Sequence, residues 1–182
     1  MKSSTTKTVV KKEKSSVENV MKKVKLEKVV LSAGAVGDDL AKSKKLLELI
    51  SAGKAQMVQS HKRIPDFGVR PGLEVGTRIT LRGKKALDLL RRLLGAIDNK
   101  LKAKQIADGH FSFGIEEYIE IPGMEYHRDI GIRGLNITAV FIRSGTRVKL
   151  KKIKRGKFPK RQQVTKAEIL KYMEDVFKTQ FK

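Results

Sequence analysis

Cysteine and tryptophan are absent from this 182-residue sequence, and histidine occurs only three times, as His61, His110 and His127. Without cysteine the chain has no disulfide scaffold, no thiolate metal site and no cysteine nucleophile. The three histidines are far apart in sequence, so we expect no multi-histidine metal site. The longest apolar runs are only a few residues, well short of the roughly 20 that a membrane-spanning helix requires.

Acidic residues are scarce relative to basic ones. Asp and Glu total 19 against 41 Lys and Arg, which gives a formal net charge of +22. Self-repulsion of this size is tolerated when a polyanion is the usual partner. The first twelve residues contain lysines but no apolar segment of secretory length. Because 40% of the residues are hydrophobic, enough for a globular core, we expect a soluble, basic, cytoplasmic protein.

Two parts of the chain concentrate positive charge. Residues 1–20 have no apolar period, and we predict a mobile basic arm there, ahead of a single α+β RNA-binding domain over residues 21–182. A solubilising tail that contacts nothing explains the arm equally well. Residues 143–161 contain ten basic residues and no acidic one. Since phosphates relieve the repulsion among such charges, we predict RNA contacts from Arg147, Lys149, Lys151, Lys152, Lys154 and Arg155.

The sign of the charge reverses in residues 108–129. The segment carries six acidic residues against one arginine, and its carboxylates belong to Asp108, Glu116, Glu117, Glu120, Glu125 and Asp129. RNA should avoid so acidic a surface because phosphates and carboxylates repel each other. We therefore predict that this segment either faces water or contacts a basic protein.

The spacing of apolar residues predicts an α+β fold. Period-two patterns or short apolar runs predict strands over residues 23–31, 56–60, 74–82, 111–121 and 135–143. Helical spacing predicts two helices and a C-terminal helix, over residues 38–51, 84–97 and from 165 onward. Since strands and helices do not alternate strictly, we predict a largely antiparallel sheet backed by helices, with a long basic loop and a C-terminal helix.

Several details of these elements are also predicted. Residues 32–37 should form a glycine-punctuated loop, after which Asp38 or Asp39 caps the next helix. The strand over residues 111–121 should point five side chains inward, namely Phe111, Phe113, Ile115, Ile119 and Ile121. Thr165 and Glu168 form a capping box at the start of the last helix. That helix should bury Ile169, Leu170, Met173, Val176 and Phe177.

The strand over residues 74–82 has two unlike faces. One face is mainly apolar, whereas the other carries Gly76, Arg78, Thr80 and Arg82. Guanidinium groups bind phosphates through paired hydrogen bonds, so we predict that Arg78, Thr80 and Arg82 contact RNA. The preceding loop over residues 62–72 is basic, and Phe67 in it either stacks on a base or anchors the loop against its own domain.

No constellation for catalysis is evident. The chain lacks a phosphate-binding loop of the G-x-x-x-x-G-K-[ST] type, although Gly34 and Gly37 follow a strand. Glu116 and Glu117 are adjacent and would point to opposite faces of a strand, which suits no acid/base pair. Neither His110 nor His127 has a nucleophile or metal partner in its pattern. We therefore predict a protein that is not an enzyme and that needs no cofactor or metal.

Four stretches of the sequence resemble the large-subunit ribosomal protein family that binds 5S ribosomal RNA, called protein five in bacteria and archaea and protein eleven in eukaryotes. They are residues 26–31 (LEKVVL) with the following glycine loop, 75–83 (VGTRITLRG), 111–117 (FSFGIEE) and 125–135 (EYHRDIGIRGL). Their order and spacing make the resemblance specific over about residues 23–177. The basic stretch followed by a last helix is similar to the archaeal and eukaryotic branch.

The resemblance implies a structural role in the central protuberance of the large subunit. Family members attach 5S rRNA to the large-subunit rRNA, bridge to small-subunit protein thirteen and other ribosomal proteins, and bring a loop near the peptidyl-site tRNA. By position, the rRNA-contacting residues would include Ser32, Gly34, Phe67, Arg70, Thr80 and Arg82. The tRNA-facing loop over residues 62–71 would include Lys62, Arg63, Ile64, Pro65, Asp66 and Gly68.

Two rival functions make different demands on the sequence. A free-standing RNA chaperone needs exposed aromatic residues for base stacking. Only 5% of the residues are aromatic, and most of these fall in apolar strand or helix patterns, which disfavours a chaperone. An RNA-modifying enzyme needs a cofactor loop or a catalytic cluster, and the sequence offers neither. We therefore predict a ribosome-bound structural protein.

Overall fold

A computed structural model describes residues 19–181 of the chain. The predicted arm over residues 1–20 lies outside this range except for Asn19 and Val20, the latter beginning a short 3₁₀ turn. The strands are β1 (Val24–Gly34), β2 (Gln56–Gln59), β3 (Glu74–Leu81), β4 (Lys100–Leu101), β5 (Ile106–Ala107), β6 (His110–Ile115), β7 (Leu135–Arg143) and β8 (Gln180–Phe181). The helices are α1 (Asp38–Ser51), α2 (Lys84–Gly95), α3 (Arg147–Leu150) and α4 (Lys166–Phe177).

Six strands form one sheet in the order β2-β3-β1-β7-β6-β5. Every neighbouring pair in this sheet is antiparallel. The remaining two strands, β4 and β8, form a separate parallel pair that joins the C-terminal residues to the chain after α2. The predicted α+β class with an antiparallel sheet, backing helices and a C-terminal helix is therefore confirmed.

The hydrophobic core lies between one face of the sheet and the helices. Alternate residues of the central strands are buried there, among them Leu31 of β1 and Ile137 of β7. They belong to one cluster with Leu46 of α1, Leu90 of α2 and Ile169 of α4, all fully buried. Removing each such side chain from water stabilises the fold by about 1.5–3 kcal/mol. The opposite face of the sheet is left without a covering layer.

A β-bulge in β1 changes which residues face the core. The pairing with β7 shifts register between Leu26, which lies opposite Phe141, and Lys28, which lies opposite Val140. Leu26 packs against the core, as does Val29 beyond the bulge. The extra residue, Glu27, restores the inward direction for both apolar stretches. As a result Lys28 lies on the uncovered side of the sheet.

The C-terminal helix begins as the sequence predicts. The Glu168 carboxylate accepts a hydrogen bond from the Thr165 backbone N–H at 3.2 Å, and the capping box is complete. Val164 and Ile169, on either side of the cap, are both buried. The predicted inward position of Val176 is wrong, because this side chain lies on the solvent side of α4 with 39% of its surface exposed.

Two other helix and strand boundaries differ from the prediction. The residues predicted to form a loop over 32–37 instead continue β1 as far as Gly34, since Ser32 and Gly34 pair with β3. Neither Asp38 nor Asp39 caps α1, because Gly37 occupies the cap position with φ +68°. The two carboxylates lie in the first turn of α1, where they interact favourably with the helix dipole.

The strand predicted over residues 111–121 is shorter in the structure. It ends at Ile115, and a 3₁₀ turn over Tyr118–Glu120 follows. Tyr118 is fully buried, whereas Ile119, predicted to point inward, is 37% exposed. The Tyr118 hydroxyl accepts a hydrogen bond from the backbone N–H of His127 at 2.8 Å. Tertiary hydrogen bonding at Tyr118 therefore replaces the alternation that the sequence suggested.

Candidate nucleic-acid interface

The uncovered side of the sheet, called the open face below, presents ordered rows of polar side chains. The longest row crosses five strands and consists of Gln56, Arg78, Ser32, Asn136 and Gly114. Within it, the Arg78 guanidinium donates to the Gln56 side-chain oxygen at 3.4 Å. The Ser32 hydroxyl donates to the Asn136 backbone oxygen at 3.5 Å. The row thus combines one cation with hydroxyl and amide groups, all available to an external ligand.

A second row of the open face is mainly hydroxyl-bearing. It consists of Thr80, Val30, Thr138 and Ser112. The Ser112 and Thr138 hydroxyls are 3.0 Å apart and share a hydrogen bond. Hydroxyl groups of this kind contact phosphate and sugar oxygens in nucleic-acid complexes. The row is therefore suited to positioning a polyanion rather than to catalysis.

A third row is cationic at one end. Lys28 of β1 lies opposite Val140 of β7, which in turn lies opposite His110 of β6. Leu81 pairs with Val29, so continuing the register by one residue places Arg82 beside Lys28. The bulge at Glu27 is what brings Lys28 to this face. Two cations from neighbouring strands are thereby brought together.

Three strand glycines also lie on the open face. Gly34 pairs with Gly76, and Gly114 pairs with Asn136. None of the three has a positive φ, so backbone conformation does not demand glycine at these positions. A Cβ at Gly34 or Gly76 would meet its nearest neighbour at 3.9 or 3.4 Å, an ordinary contact. Glycine within a strand often marks the close approach of a ligand or of another backbone, and here it keeps this part of the surface low.

The structure brings the predicted sheet residues together on one surface. Arg78, Thr80 and Arg82 are exposed, and Ser32 of the neighbouring strand is half-buried between its partners. Gly34 is exposed at the end of β1, within a strand rather than in the predicted loop. Sequence reasoning missed Asn136, Ser112, Thr138, Gln56 and Lys28 as members of this surface. Only the strand register reveals them, although the mixed polar side of β7 was a partial signal.

The chain between β2 and β3, called the β2–β3 loop below (residues 60–73), is a hydrogen-bonded arm. Its base is closed by Ser60 and Leu73, whose backbone N–H and O are 2.8 Å apart. Nearer the tip, Ile64 and Val69 exchange two backbone hydrogen bonds of 3.0 Å. Phe67 at the tip is 73% exposed, which rules out the interpretation that it anchors the loop to its own domain.

The other predicted members of the β2–β3 loop are also exposed. The side chains available to a partner are those of Lys62, Arg63, Ile64, Pro65, Asp66 and Arg70, with Gly68 at the turn. Gly68 adopts the left-handed conformation, with φ +64°, and its N–H donates to the Pro65 oxygen at 2.9 Å. Glycine avoids the steric cost of that conformation. The tip is therefore a compact turn that presents Phe67.

Residues 143–161, called the basic segment below, leave the sheet where β7 ends. The predicted contact residues are all exposed, namely Arg147, Lys149, Lys151, Lys152, Lys154 and Arg155. The first of them lie in the short helix α3. At the base of the segment, the Arg143 guanidinium forms an ion pair with Glu168 of α4 and donates to the Arg161 backbone oxygen at 3.1 Å. Arg143 thus ties both ends of the segment to the fold.

The β2–β3 loop and the basic segment lie at opposite ends of the open face. The loop enters β3 next to Gly76, whereas the basic segment follows Arg143, which pairs with Val24 at the other end of β1. Positive charge therefore extends along the whole length of the sheet. A long polyanion can contact both ends at once, since its charges repeat at a spacing of a few ångströms.

The acidic segment (residues 108–129) turns most of its carboxylates away from the positive charge. Five of its six acidic residues follow β6, and all are exposed, namely Glu116, Glu117, Glu120, Glu125 and Asp129. Tyr126 and Ile132 close by are 56% and 64% exposed. Arg133 fixes this region to α1 through an ion pair with Asp39. Exposed aromatic and aliphatic side chains among carboxylates are suited to a basic protein partner.

The described residues give no sign of a catalytic or metal centre. Among residues 19–181, no three His, Cys, Asp or Glu side chains converge as metal ligands would. Burial raises the pKa of Tyr172, and the nearby Arg91 guanidinium opposes that rise. Tyr172 packs against Phe141 and Phe177 rather than lying on the open face. Within the described part of the chain, no helix is long and apolar enough to cross a membrane.

Comparison with known proteins agrees with the resemblance noted in the sequence. Residues 74–172 match the family model that describes the C-terminus of the ribosomal uL5 family. The large ribosomal subunit protein uL5 of Nanoarchaeum equitans is 39% identical over 162 residues, which cover 87% of this chain and 96% of the relative. The uL5 proteins of Archaeoglobus fulgidus and Methanosphaera stadtmanae are 37% and 36% identical, covering 90% and 87% of this chain and 93% and 96% of the relatives.

These matches span most of the chain and most of each relative, and the named organisms are archaea. Proteins of this family are structural, non-enzymatic constituents of the large subunit that associate with ribosomal RNA and other ribosomal proteins. The prediction of a ribosome-bound, cytoplasmic, non-enzymatic protein is thereby confirmed. The chain belongs to the uL5 family of large ribosomal subunit proteins, in its archaeal-type branch.

Proposed function

We propose that the open face and the basic segment bind 5S rRNA and help to attach it to the large-subunit rRNA in the central protuberance. The observation that carries the proposal is the five-strand row with Arg78, Ser32 and Asn136, set between positive charge at both ends of the sheet. Arginine and lysine supply affinity by releasing counterions, whereas hydroxyls, amides and close backbone approach set the position of the RNA.

The contact residues follow from this arrangement. On the sheet they are Ser32, Gly34, Arg78, Thr80 and Arg82, to which the structure adds Asn136, Ser112 and Thr138. In the basic segment they are Arg147, Lys149, Lys151, Lys152, Lys154 and Arg155. At the base and tip of the β2–β3 loop they are Arg70 and Phe67. The basic segment supplies charge without base selectivity, and shape recognition falls to the sheet.

The first test separates a ribosomal constituent from an RNA chaperone. We expect the purified protein to bind a 5S rRNA transcript much more tightly than an unstructured RNA of the same length, and to co-sediment with large subunits at high salt. A chaperone would bind both RNAs alike through base stacking. Equal affinity for the two RNAs, together with release from subunits as the salt rises, would refute the proposal.

Gly34 offers a test of close approach by the RNA. Gly34→Val should lower 5S rRNA affinity by about tenfold, the equivalent of about 1.4 kcal/mol, because the added side chain rises from the open face. Stability should be kept, since valine favours strands. Gly53→Val, far from this face in the loop after α1, is the matched control and should bind like the parent. Filter binding and thermal melting of both variants check the prediction; full affinity in Gly34→Val would contradict it.

We assign the β2–β3 loop to the peptidyl-site tRNA. Deleting residues 62–71 should spare 5S rRNA binding, because Ser60 and Leu73 already close the base of the arm and can be joined by a short turn. Occupancy of the peptidyl site by tRNA should fall in ribosomes that carry the deletion. A variant of full length with Lys62, Arg63 and Arg70 changed to Gln separates charge from reach. Loss of 5S binding in the deletion would show that this division of roles is wrong.

The acidic segment is assigned to a basic ribosomal neighbour, small-subunit protein thirteen. Its exposed carboxylates and the exposed Tyr126 and Ile132 support a protein rather than an RNA partner. Tyr118 and Arg133 hold the segment in a fixed shape through the hydrogen bond to His127 and the ion pair to Asp39. Such fixed charges favour specific pairing with a basic surface across the subunit boundary.

A further inference from the structure

A groove lies at the end of the open face, where the basic segment turns back beside the sheet. Its volume is about 440 Å³, within the size range of sites for small organic ligands. The sheet side is formed by Lys28, Val140 and His110, the third row of the open face. The opposite side is formed by Lys149, Leu150 and Phe158 of the basic segment. The groove is therefore continuous with the surface already assigned to RNA.

The chemistry of the groove differs from that of the rest of the RNA surface. Val140 and Phe158 are half-buried, and Leu150 has 68% of its side chain exposed beside them. Glu27 at the β-bulge and Gln163 add hydrogen-bond acceptors, and Gln163 also adds a donor. A phosphate alone would gain nothing from aliphatic and aromatic walls or from a carboxylate. A planar, uncharged group with its own donors and acceptors would be matched by all of them.

The charges around the groove are arranged for a chain that passes over it. Lys28 and Lys149 stand on opposite walls, and Lys151 and Lys152 follow in the exposed basic segment. Another cation of the lining, Arg143, is already paired with Glu168, and Asp108 accepts the backbone N–H of Lys166 at 3.1 Å. The two free lysines can therefore hold phosphates on either side of an inserted group.

We propose that this groove accepts one unstacked nucleotide of the bound rRNA, with its base between Phe158 and Val140 and its flanking phosphates on Lys28 and Lys149. Unpaired bases of folded RNA are recognised by stacking on aromatic side chains and by hydrogen bonds to their edges. The groove would thus supply the selectivity for unpaired nucleotides that the flat sheet lacks. This inference rests on the proposed binding of 5S rRNA to the open face.

Two double variants test the inference. Lys149→Ala with Leu150→Ser removes one charge and one exposed aliphatic side chain from the groove. Lys152→Ala with Ile153→Ser makes the same kind of change outside the groove lining, where Ile153 is 77% exposed. Both pairs lie in exposed positions, so equal melting temperatures for the two proteins should show that each is folded. The probes are a 5S rRNA transcript and a fully paired RNA duplex of equal length.

We expect the groove variant to bind 5S rRNA about tenfold more weakly than the control variant, within the range measured for losing one base–aromatic stack. On the paired duplex the two variants should bind alike, because no base is available for insertion. A 5S transcript containing 4-thiouridine should cross-link the parent protein at peptides of the groove, through an unpaired uridine.

Equal loss of 5S affinity in both variants, or the same extra loss on the duplex, would overturn the inference, because the groove would then contribute charge alone. Normal RNA binding with poor incorporation of the groove variant into large subunits would also overturn it and would assign the groove to a protein. If the parent protein fails to bind 5S rRNA at all, the proposed function itself fails. That result is distinct from a parent that binds and a groove variant that matches its control.

Discussion

Replacing Gly134 with alanine is expected to lower the free energy of unfolding by about 1–3 kcal/mol, the usual cost of overfilling a packed site. A Cβ at this position would lie 2.8 Å from the backbone oxygens of both Ile115 and Glu116. Real Cβ atoms essentially never approach so closely, and backbone atoms cannot rotate away as a side chain can. The end of β6 would have to separate from the start of β7.

Thermal melting provides the measurement. For a chain of this length, each kcal/mol lowers Tm by roughly 2–4 °C, so a fall of several degrees is expected. Gly53→Ala is the control, because its Cβ would meet only Ser51 atoms at 3.7 and 3.9 Å. The damage should be greatest near the acidic segment, where the Tyr118 N–H donates to the Arg133 oxygen at 3.1 Å. Equal Tm values for the two variants would contradict this account of the Gly134 site.

Strands with a clear period of two were predictable from the sequence. In β3 the alternation of Thr77 and Ile79 with Arg78 and Thr80 is enough to define both faces, and the structure keeps it. The bulge in β1 was also encoded, because Leu26 and Val29 cannot both face the core in a regular strand. An apolar pattern that skips a residue is the signal of such a bulge.

The end of β6 could not be predicted in the same way. Ile119 and Ile121 continue the apolar alternation, yet the chain turns after Ile115. The reason is tertiary, since Tyr118 is buried and bonded to residues that follow it by nine and fifteen positions. Local periodicity carries no information about such partners.

Half of the open face was equally hidden in the sequence. Asn136, Ser112 and Thr138 are isolated polar residues in apolar strands, and a pattern alone gives them no role. Their importance follows from the strand order, which places β7 between β1 and β6 and aligns Asn136 with both Ser32 and Gly114. The groove beside Lys28 is hidden for the same reason, because its two walls are more than a hundred residues apart in sequence.

Reversing the charge of the open face should weaken RNA binding more than any other change considered. Arg78 and Arg82 are exposed and form no ion pair with the described residues, so glutamate at both positions should leave the fold intact. Hydrogen bonds to charged groups contribute about 1.5–3 kcal/mol each. Losing two of them removes about 3 kcal/mol or more, which corresponds to at least about a 100-fold loss of affinity.

A matched control removes the effect of net charge. Lys45 on α1 and Lys54 in the loop after it are exposed on the helix side, and changing both to glutamate alters the net charge by the same amount. General repulsion from RNA should then be similar for the two proteins, since it depends on the total charge. Any difference between them reports the location of the RNA on the protein.

The affinity of a 5S rRNA transcript for these two double variants, measured at the same salt concentrations, is the most direct test of whether the open face holds the RNA. Binding by the protein with Arg78→Glu and Arg82→Glu should fall about 100-fold, the result of losing about 3 kcal/mol. Binding by the protein with Lys45→Glu and Lys54→Glu should fall only a few-fold through long-range repulsion. An equal fall in both would contradict the assignment of the open face as the RNA surface.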